Sequence, residues 1–359
     1  MTLRRGRKGD LGLEVLPLIE LALPEPDGQT LLRDRHQETV AAISDALATS
    51  LGNVSRLQGW QAQYAFEAVV VALGAVRLIK FEDSGLYYFD DADGEIQPPD
   101  FRIVLRDGTH LLVEVKNVAP TDTATTVRPK DLAAARRYAE ATGGRLLYAH
   151  FWSLTGLWTL VDPSVFDSVG TPHRLTLEQA MKANEMYLLG DGWLAVEPPL
   201  VFSVIMDREK EQVVERIDDG EETRRVTISG VELLNAGRVI TDPVERKLAW
   251  FLIWNGRWSH TQEPRFDEDG RLERVDYVCS PDIPDEQAAR QIAAQGMAIV
   301  DALSTLNTRR FLEATTTDTG DIRALREEPE PALLAQLVPE DYWDRQDRAL
   351  PLWRLNVRP

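Results

Sequence analysis

The chain has 359 residues and a formal net charge of −18 at pH 7, with 43% hydrophobic and 27% charged residues. These fractions are ordinary for a globular protein and exclude a wholly disordered or fibrous chain. The single cysteine, Cys279, excludes an intrachain disulfide framework and a cysteine-cluster zinc site. The acidic excess argues against a protein that coats nucleic acid nonspecifically, because such proteins carry a basic surface.

No apolar run approaches the roughly 18 residues that a membrane span requires. The basic first ten residues are not followed by an apolar core with a small-residue cleavage site. We therefore expect a cytoplasmic protein without membrane association. The length favours more than one domain. We predict an N-terminal arm and helix (1–55), an α/β domain (56–198) and a C-terminal α+β domain (199–359).

Apolar periodicity and turn residues predict the elements of the first part of the chain. Two helices, 39–51 and 60–73, come first, and Gly74 ends the second. A loop covers 119–127, and Pro129 opens a third helix. Strands are predicted at 76–81, 86–89, 101–105, 110–118, 145–151 and 156–161.

The second part of the chain has a different texture and no recognisable site. A helix is predicted at 243–254, and one or two long helices over 285–314. Strands are predicted at 200–206, 212–217, 224–228, 271–278 and 352–357. Substrate selection, dimerisation and docking onto another protein all remain open as its role.

The hairpin around the turn at 106–108 decides where the polar side chains lie. Strand 110–118 alternates between an apolar face and a face that carries Glu114 and Lys116. A three-residue loop matches the apolar faces of the two strands, whereas a two-residue loop opposes them. The three-residue register places Asp100 opposite Glu114, with Cβ atoms roughly 5 Å apart. We therefore expect Asp100, Glu114 and Lys116 on one patch.

Paired carboxylates at the end of a hairpin favour binding of a divalent cation. Two carboxylates about 4 Å apart repel by roughly 4 kcal/mol at an effective dielectric near 20. Oxygen ligands with open positions for water suit Mg²⁺ or Mn²⁺, which make bound water a better nucleophile and stabilise charge on a phosphate. Lys116 is placed to orient or deprotonate the water, or to hold a phosphate oxygen. The set predicts hydrolysis of a phosphodiester.

The arrangement of Pro99-Asp100, thirteen further residues and Glu114-Val115-Lys116 resembles the signature of the PD-(D/E)xK nuclease superfamily, which has a restriction-endonuclease-like fold. Within it, the sequence looks most like the archaeal Holliday-junction-resolvase and type IV restriction branch. The resemblance covers less than a third of the chain. It implies that Asp100 and Glu114 bind the metal, that Val115 lends a backbone carbonyl, and that Lys116 acts in catalysis.

The resemblance also implies a mixed sheet flanked by helices and further site residues. Many members have a glutamate on the helix before the sheet, which matches Glu67 here as a catalytic and metal-binding candidate. Lys130 stands near the place where some branches have glutamine, and we expect it to contact phosphate. Arg136 and Arg137 are candidate DNA contacts on the following helix. Residues 101–150 carry eight Lys and Arg against five Asp and Glu.

Other polar and aromatic residues have plainer interpretations. The acidic run of Asp83, Asp90, Asp91 and Asp93 is expected to form a solvated loop rather than a further metal site. His150 ends a strand and is expected to be structural. Tryptophans at the following spacings are expected in cores rather than stacked on bases: Trp152, Trp158, Trp250, Trp254 and Trp258.

The sequence thus predicts a nuclease that uses Mg²⁺ or Mn²⁺ to hydrolyse DNA in restriction, anti-phage defence or repair. Cutting both strands favours a homodimer, by symmetry with duplex DNA. The alternative is a catalytically inactive module of the same fold that binds nucleic acid as a regulator, or a protein partner through the C-terminal domain. Acidity favours the alternative, and the intact Asp–Glu–Lys set favours the enzyme. The pattern does not distinguish DNA from RNA.

Overall fold

The computed structural model of the protein describes residue 3 and residues 35–83, 87–90, 92, 94–167, 172–216, 222–281 and 296–355. Its α-helices are α1 (His36–Leu51), α2 (Val54–Leu73), α3 (Pro129–Thr142), α4 (Leu177–Lys182), α5 (Pro243–Asn255), α6 (Leu303–Thr315) and α7 (Leu333–Leu337). Short 3-10 helices cover Pro163–Val165, Met186–Leu189 and Glu340–Asp344.

The strands of the first part are β1 (Val76–Phe81), β2 (Phe101–Leu105), β3 (His110–Val118), β4 (Ala124–Val127), β5 (Arg145–Trp152), β6 (Leu157–Val161) and β7 (His173–Thr176). Those of the second part are β8 (Trp193–Val196), β9 (Leu200–Arg216), β10 (Glu222–Asn235), β11 (Arg238–Val239), β12 (Trp258–Phe266), β13 (Leu272–Pro281), β14 (Ala298–Ala302) and β15 (Leu352–Leu355).

The first sheet is mixed and has helices on both faces. Its strand order is β1-β2-β3-β5-β6, in which only β3 and β5 run parallel. A parallel pair needs a crossover connection, and α3 supplies it. Phe66 and Val69 of α2 belong to the core on one face of the sheet, and Leu132 of α3 belongs to the core on the other. The predicted α/β class, a mixed sheet flanked by helices, is confirmed.

Helix α2 is longer than the sequence pattern predicts, because its start is set by a cap. The side chain of Asn53 accepts a hydrogen bond from the backbone N–H of Arg56 at 3.0 Å, which satisfies an end group of the helix. Gly59 therefore lies within the helix rather than before it. The end of the helix is as predicted, with Gly74 in the left-handed region at a φ of 68°.

The strands of the second part are fewer and longer than the three predicted over 200–228. Strands β9 and β10 form one long antiparallel hairpin, at the centre of a sheet ordered β11-β10-β9-β13-β12. The charged run that suggested a turn lies inside β9, where Arg208 and Lys210 are exposed. Because solvent reaches these charged side chains, they do not interrupt the strand.

Three further predictions on the elements need correction. The long helices expected over 285–314 are replaced by β14 and α6 among the residues described there, and 282–295 lie outside the described residues. Residues 87–89 form no strand, and residue 86 lies outside the described range. The end of the loop expected over 119–127 forms β4, which pairs with β7.

The larger core connects the first sheet with later elements. Phe66 and Phe101 belong to the same cluster of buried residues as Leu248 of α5, Leu306 of α6 and Leu334 of α7. The division into domains at residues 55 and 198 stays a prediction. Among the described residues, no helix combines the length and the apolarity that crossing a bilayer requires.

Candidate active site

The register of the β2–β3 hairpin confirms the three-residue loop. Gly108 lies in the left-handed region at a φ of 93°, and the N–H of Leu105 donates to the carbonyl of Thr109 at 2.9 Å. Phe101 pairs with Val113, and Ile103 with Leu111. One step farther along the same register, Asp100 faces Glu114.

The carboxylate of Asp100 is buried and is held by two hydrogen bonds. Oδ2 accepts from the backbone N–H of Val115 at 2.6 Å, and Oδ1 accepts from Nε2 of Gln63 at 2.7 Å. The side chain is 7% exposed. Burial, followed by the negative charges of Glu114 and Asp83, holds the pKa of Asp100 well above its usual value, against the N–H of Val115 and the charge of Lys116. A cation beside this carboxylate would relieve the repulsion.

Glu114 and Lys116 form an ion pair beside Asp100. Nζ of Lys116 lies 2.6 Å from Oε1 of Glu114. Burial lowers the pKa of Lys116, but the charge of Glu114 and the hydrogen bond to it outweigh burial, so the pKa is raised overall. The ammonium is therefore charged near neutral pH.

Gln63 is a site residue that the sequence analysis missed. It lies on α2 and binds Asp100 directly, whereas Glu67 lies one helical turn farther on and accepts a hydrogen bond from Nη2 of Arg326 at 3.0 Å. The amide oxygen of Gln63 is buried and has no hydrogen-bond partner among the described residues. A glutamine draws less attention than a carboxylate as a metal-site residue, and only its helical spacing from Glu67 gave a signal.

Asp83 also belongs to the electrostatic surroundings of the site. The N–H of the preceding residue, Glu82, donates to the carbonyl of Asp100 at 2.9 Å. Partial loss of hydration, followed by the charge of Glu114, raises the pKa of Asp83. Asp83 is exposed, as expected of a solvated loop, but its charge acts on the carboxylate pair.

Asp90, from the same acidic run, makes a contact only within its own loop. The side chain of Asp90 accepts a hydrogen bond from the backbone N–H of Ala92 at 3.0 Å, which is a local turn contact. Asp91 and Asp93 lie outside the described residues.

The basic candidates lie on α3, the first turn of which is near Lys116. Lys130 and Arg136 are exposed, and Arg137 is half-buried, with its Nε donating to the carbonyl of Glu95 at 2.8 Å. The first turn of α3 carries Asp131, whose charge contributes to the raised pKa of Lys116. Lys130 therefore lies at the end of α3 that faces the site.

His150 is buried beside Lys116 on the neighbouring strand. The two residues are paired across β3 and β5. Complete burial, followed by the charge of Lys116, lowers the pKa of His150 to about 3. Its ring packs with those of Tyr148, Trp152 and Phe166. The ring is neutral at physiological pH, which agrees with the structural role expected for it.

The donor groups at this site fit a hard divalent cation that keeps part of its water shell. No group of three or more His, Cys, Asp or Glu among the described residues is arranged to hold a metal ion. The oxygen donors here are the carboxylates of Asp100 and Glu114 and the unpartnered amide oxygen of Gln63. Mg²⁺ is commonly held by one or two carboxylates and several waters, so this set fits it.

Part of the chain is similar to solved structures of other proteins. No family model matches the chain, and no curated protein matches its sequence. A matching solved structure is Hjc, a Holliday junction resolvase from Archaeoglobus fulgidus, at 13% sequence identity and a TM-score of 0.23. The match covers 26% of this chain and 73% of that chain. A similarity of this extent says nothing about activity.

Proposed function

We propose that the protein is a nuclease that depends on Mg²⁺ or Mn²⁺ and hydrolyses phosphodiester bonds in DNA. The observation that supports this most is the meeting of Asp100, Glu114 and Lys116 at one end of the β2–β3 hairpin. Metal-assisted hydrolysis uses carboxylates that bind the cation and a positively charged group beside them. Here the two carboxylates repel each other, and the ammonium lies next to them. RNA has the same phosphodiester bond and is a second candidate substrate.

The proposed roles of the residues follow from their contacts. Asp100, Glu114 and the carbonyl of Val115 would hold the cation, which when bound supplies an activated water and stabilises charge on the phosphate. Gln63 and the N–H of Val115 fix the orientation of the Asp100 carboxylate. The ammonium of Lys116 lies at the rim of this set, where a point charge can hold a phosphate oxygen or orient the water.

Three basic residues and Glu67 have supporting roles in this proposal. Lys130 and Arg136, exposed on α3, would contact the DNA backbone, and such contacts weaken as salt rises. Arg137 holds the loop at Glu95 and would act on DNA only through that loop. Glu67, paired with Arg326, would adjust the charge at this edge of the site.

The assembly and the setting are also proposals. A homodimer would place one site on each strand of a duplex, because the dimer and the duplex backbone can share a two-fold axis. Restriction, anti-phage defence and repair are the settings in which such an enzyme is useful. An acidic surface, expected from the net charge of −18, would suit a basic protein partner docking on the second part of the chain.

Cleavage of supercoiled plasmid DNA tests the proposed function. The wild-type protein with Mg²⁺ or Mn²⁺ should nick or degrade the plasmid, and EDTA should abolish this. Lys116→Ala should lose the activity, whereas Lys182→Ala, an exposed lysine on α4, should keep it. A labelled RNA in parallel reactions distinguishes the substrates. A folded wild-type protein that cuts neither nucleic acid would instead support the inactive binding module.

A further inference from the structure

Three aromatic rings form a surface at the end of β1, and we call Trp60, Tyr64 and Phe81 the aromatic platform. The Trp60 ring centroid lies 5.9 Å from that of Tyr64 and 6.4 Å from that of Phe81. Tyr64 and Phe81 meet edge to face at 5.5 Å. Tyr64 and Phe81 are partly buried against the larger core, whereas Trp60 is 39% exposed. The platform therefore has a buried base and an accessible indole.

The platform adjoins the candidate active site through two separate connections. Trp60 lies three residues before Gln63 on α2, so the two side chains share a helix face. Gln63 in turn binds the carboxylate of Asp100. The ring of Phe81 lies 4.4 Å from that of Phe101, the residue after Asp100. The exposed indole thus lies one helical turn from Gln63, the residue that binds the carboxylate of Asp100.

Trp60 does not belong to either cluster of buried residues, so packing in a core does not explain its position. Trp152 and Trp158 are buried, at 2% exposure each, as expected of core residues. Trp60 caps Tyr64 and Phe81 without joining the buried cluster that they pack against. The prediction that Trp250 and Trp254 lie in a core is wrong, because both are exposed. Trp250 packs against Phe202 of another sheet and Trp254 against Trp250, so this pair is remote from the candidate site.

We propose that the platform stacks an unpaired nucleobase of the nucleic-acid substrate, next to the phosphodiester at Asp100. This inference rests on the proposed function. Bases inside a duplex are already stacked on both faces, so a protruding indole can receive only a base that is unpaired. Stacking on aromatic side chains tolerates any base, because each base has a π-face. The substrate class is therefore single-stranded nucleic acid, or duplexes with gaps, flaps or branches.

Binding of a labelled oligothymidine tests the platform. The Lys116→Ala protein, with Mg²⁺ present, serves as the parent so that the strand is not cut. Fluorescence anisotropy compares it with the same protein carrying Trp60→Ala, Trp60→Phe or Trp254→Ala. We expect Trp60→Ala to weaken single-strand binding by roughly five- to a hundredfold, which corresponds to the loss of one stacked base. Trp60→Phe should restore much of it, and Trp254→Ala should change nothing.

A blunt duplex of the same length distinguishes stacking from a general loss of binding. Its affinity should be the same in the parent and in the Trp60→Ala protein. Quenching of tryptophan fluorescence by oligothymidine is a second measurement: the parent should show it, and the Trp60→Phe protein should show less. The quenching comparison uses only the parent and the Trp60→Phe protein, so it remains a test if Trp60→Ala fails to fold.

Three results would overturn the inference. They are single-strand binding that Trp60→Ala leaves within twofold, an equal loss for single strand and duplex, and no binding of single strands by the parent. If wild-type protein cuts DNA while any of these is found, the platform fails and the proposed function stands. If wild-type protein cuts nothing but Trp60 still governs single-strand binding, the nuclease fails and the platform stands as a binding site.

Discussion

The side-chain amide of Gln63 donates a 2.7 Å hydrogen bond to the carboxylate of Asp100, which joins helix α2 to the β2–β3 hairpin. The other oxygen of the same carboxylate accepts from the backbone N–H of Val115 at 2.6 Å. Two elements distant in sequence therefore fix one buried carboxylate. Its orientation is set by the protein before any cation binds, which reduces the cost of binding.

Removing the side-chain amide of Gln63 should weaken the binding of Mg²⁺. We expect Gln63→Ala to lower the affinity for Mg²⁺ by about ten- to a hundredfold, the range found for residues that orient metal ligands. The measurement is plasmid cleavage as a function of Mg²⁺ concentration. Gln58→Ala is the matched control, because Gln58 is an exposed glutamine on the same helix. Superimposable curves for Gln63→Ala and wild type would contradict the role.

Replacing Asp100 by asparagine should make the metal-free protein more stable. The buried charge is opposed by Glu114 and Asp83, and a neutral amide removes that repulsion. The oxygen of the new amide can still accept from the N–H of Val115, and its NH2 can donate to the unpartnered amide oxygen of Gln63 once that amide turns over. We expect Asp100→Asn to raise the free energy of unfolding in EDTA near neutral pH, because the charged carboxylate is disfavoured at this buried position. Urea denaturation measures it. A less stable variant would show that the carboxylate is not under repulsion.

The same variant provides a test of metal binding that does not depend on cleavage. A ligand that binds only the folded state raises the midpoint of thermal unfolding. Mg²⁺ should therefore raise this midpoint for the wild-type protein and leave that of Asp100→Asn unchanged. An equal rise in both proteins would place the cation elsewhere.

The buried ring of His150 should make the protein sensitive to acid. Its pKa is about 3 in the folded protein and about 6.5 in an unfolded chain. Between these values the unfolded state binds more protons, so stability is full above pH 6.5 and falls as the pH drops. Phenylalanine has a similar shape and cannot ionise. Between pH 6.5 and 5, the free energy of unfolding of His150→Phe should therefore fall by about 2 kcal/mol less than that of the wild type. This follows from about 1.36 kcal/mol per pH unit.

Urea denaturation at the two pH values measures this difference. His110→Gln is the control, because His110 is exposed near the hairpin turn and should leave the pH dependence unchanged. Equal losses in wild type and His150→Phe would mean that the buried ring does not cause acid sensitivity.

The hairpin that carries the site could be predicted from the sequence because burial leaves only one acceptable register. A shift of one residue would turn Phe101 and Ile103 away from the core that they share with Val113. Gly108 supplies the backbone conformation that the three-residue loop requires. The bounds of β1, β2 and β3 were therefore predicted correctly, and Asp100 followed from them.

The parts that could not be predicted depend on contacts between distant segments. Gln63 meets Asp100 only because α2 packs across the sheet, and Glu67 meets Arg326 from a segment more than 250 residues away. Strand β14 lies inside the stretch predicted to be helical, and α6 begins directly after it. Four of its five residues are buried, so the strand shows no alternating pattern, and its pairing with β8 identifies it.

The most direct test of the metal-dependent site is plasmid cleavage by Glu114→Gln beside Glu140→Gln, at one fixed Mg²⁺ concentration. Glutamine keeps the size of Glu114 and can still meet Lys116, but it removes one of the two charges that would hold the cation. Glu140 is exposed on α3 and gives the same change in net charge. The proposed site predicts at least a hundredfold loss for Glu114→Gln, the scale of removing one main electrostatic group, and wild-type cleavage for Glu140→Gln. Wild-type cleavage by folded Glu114→Gln would contradict it.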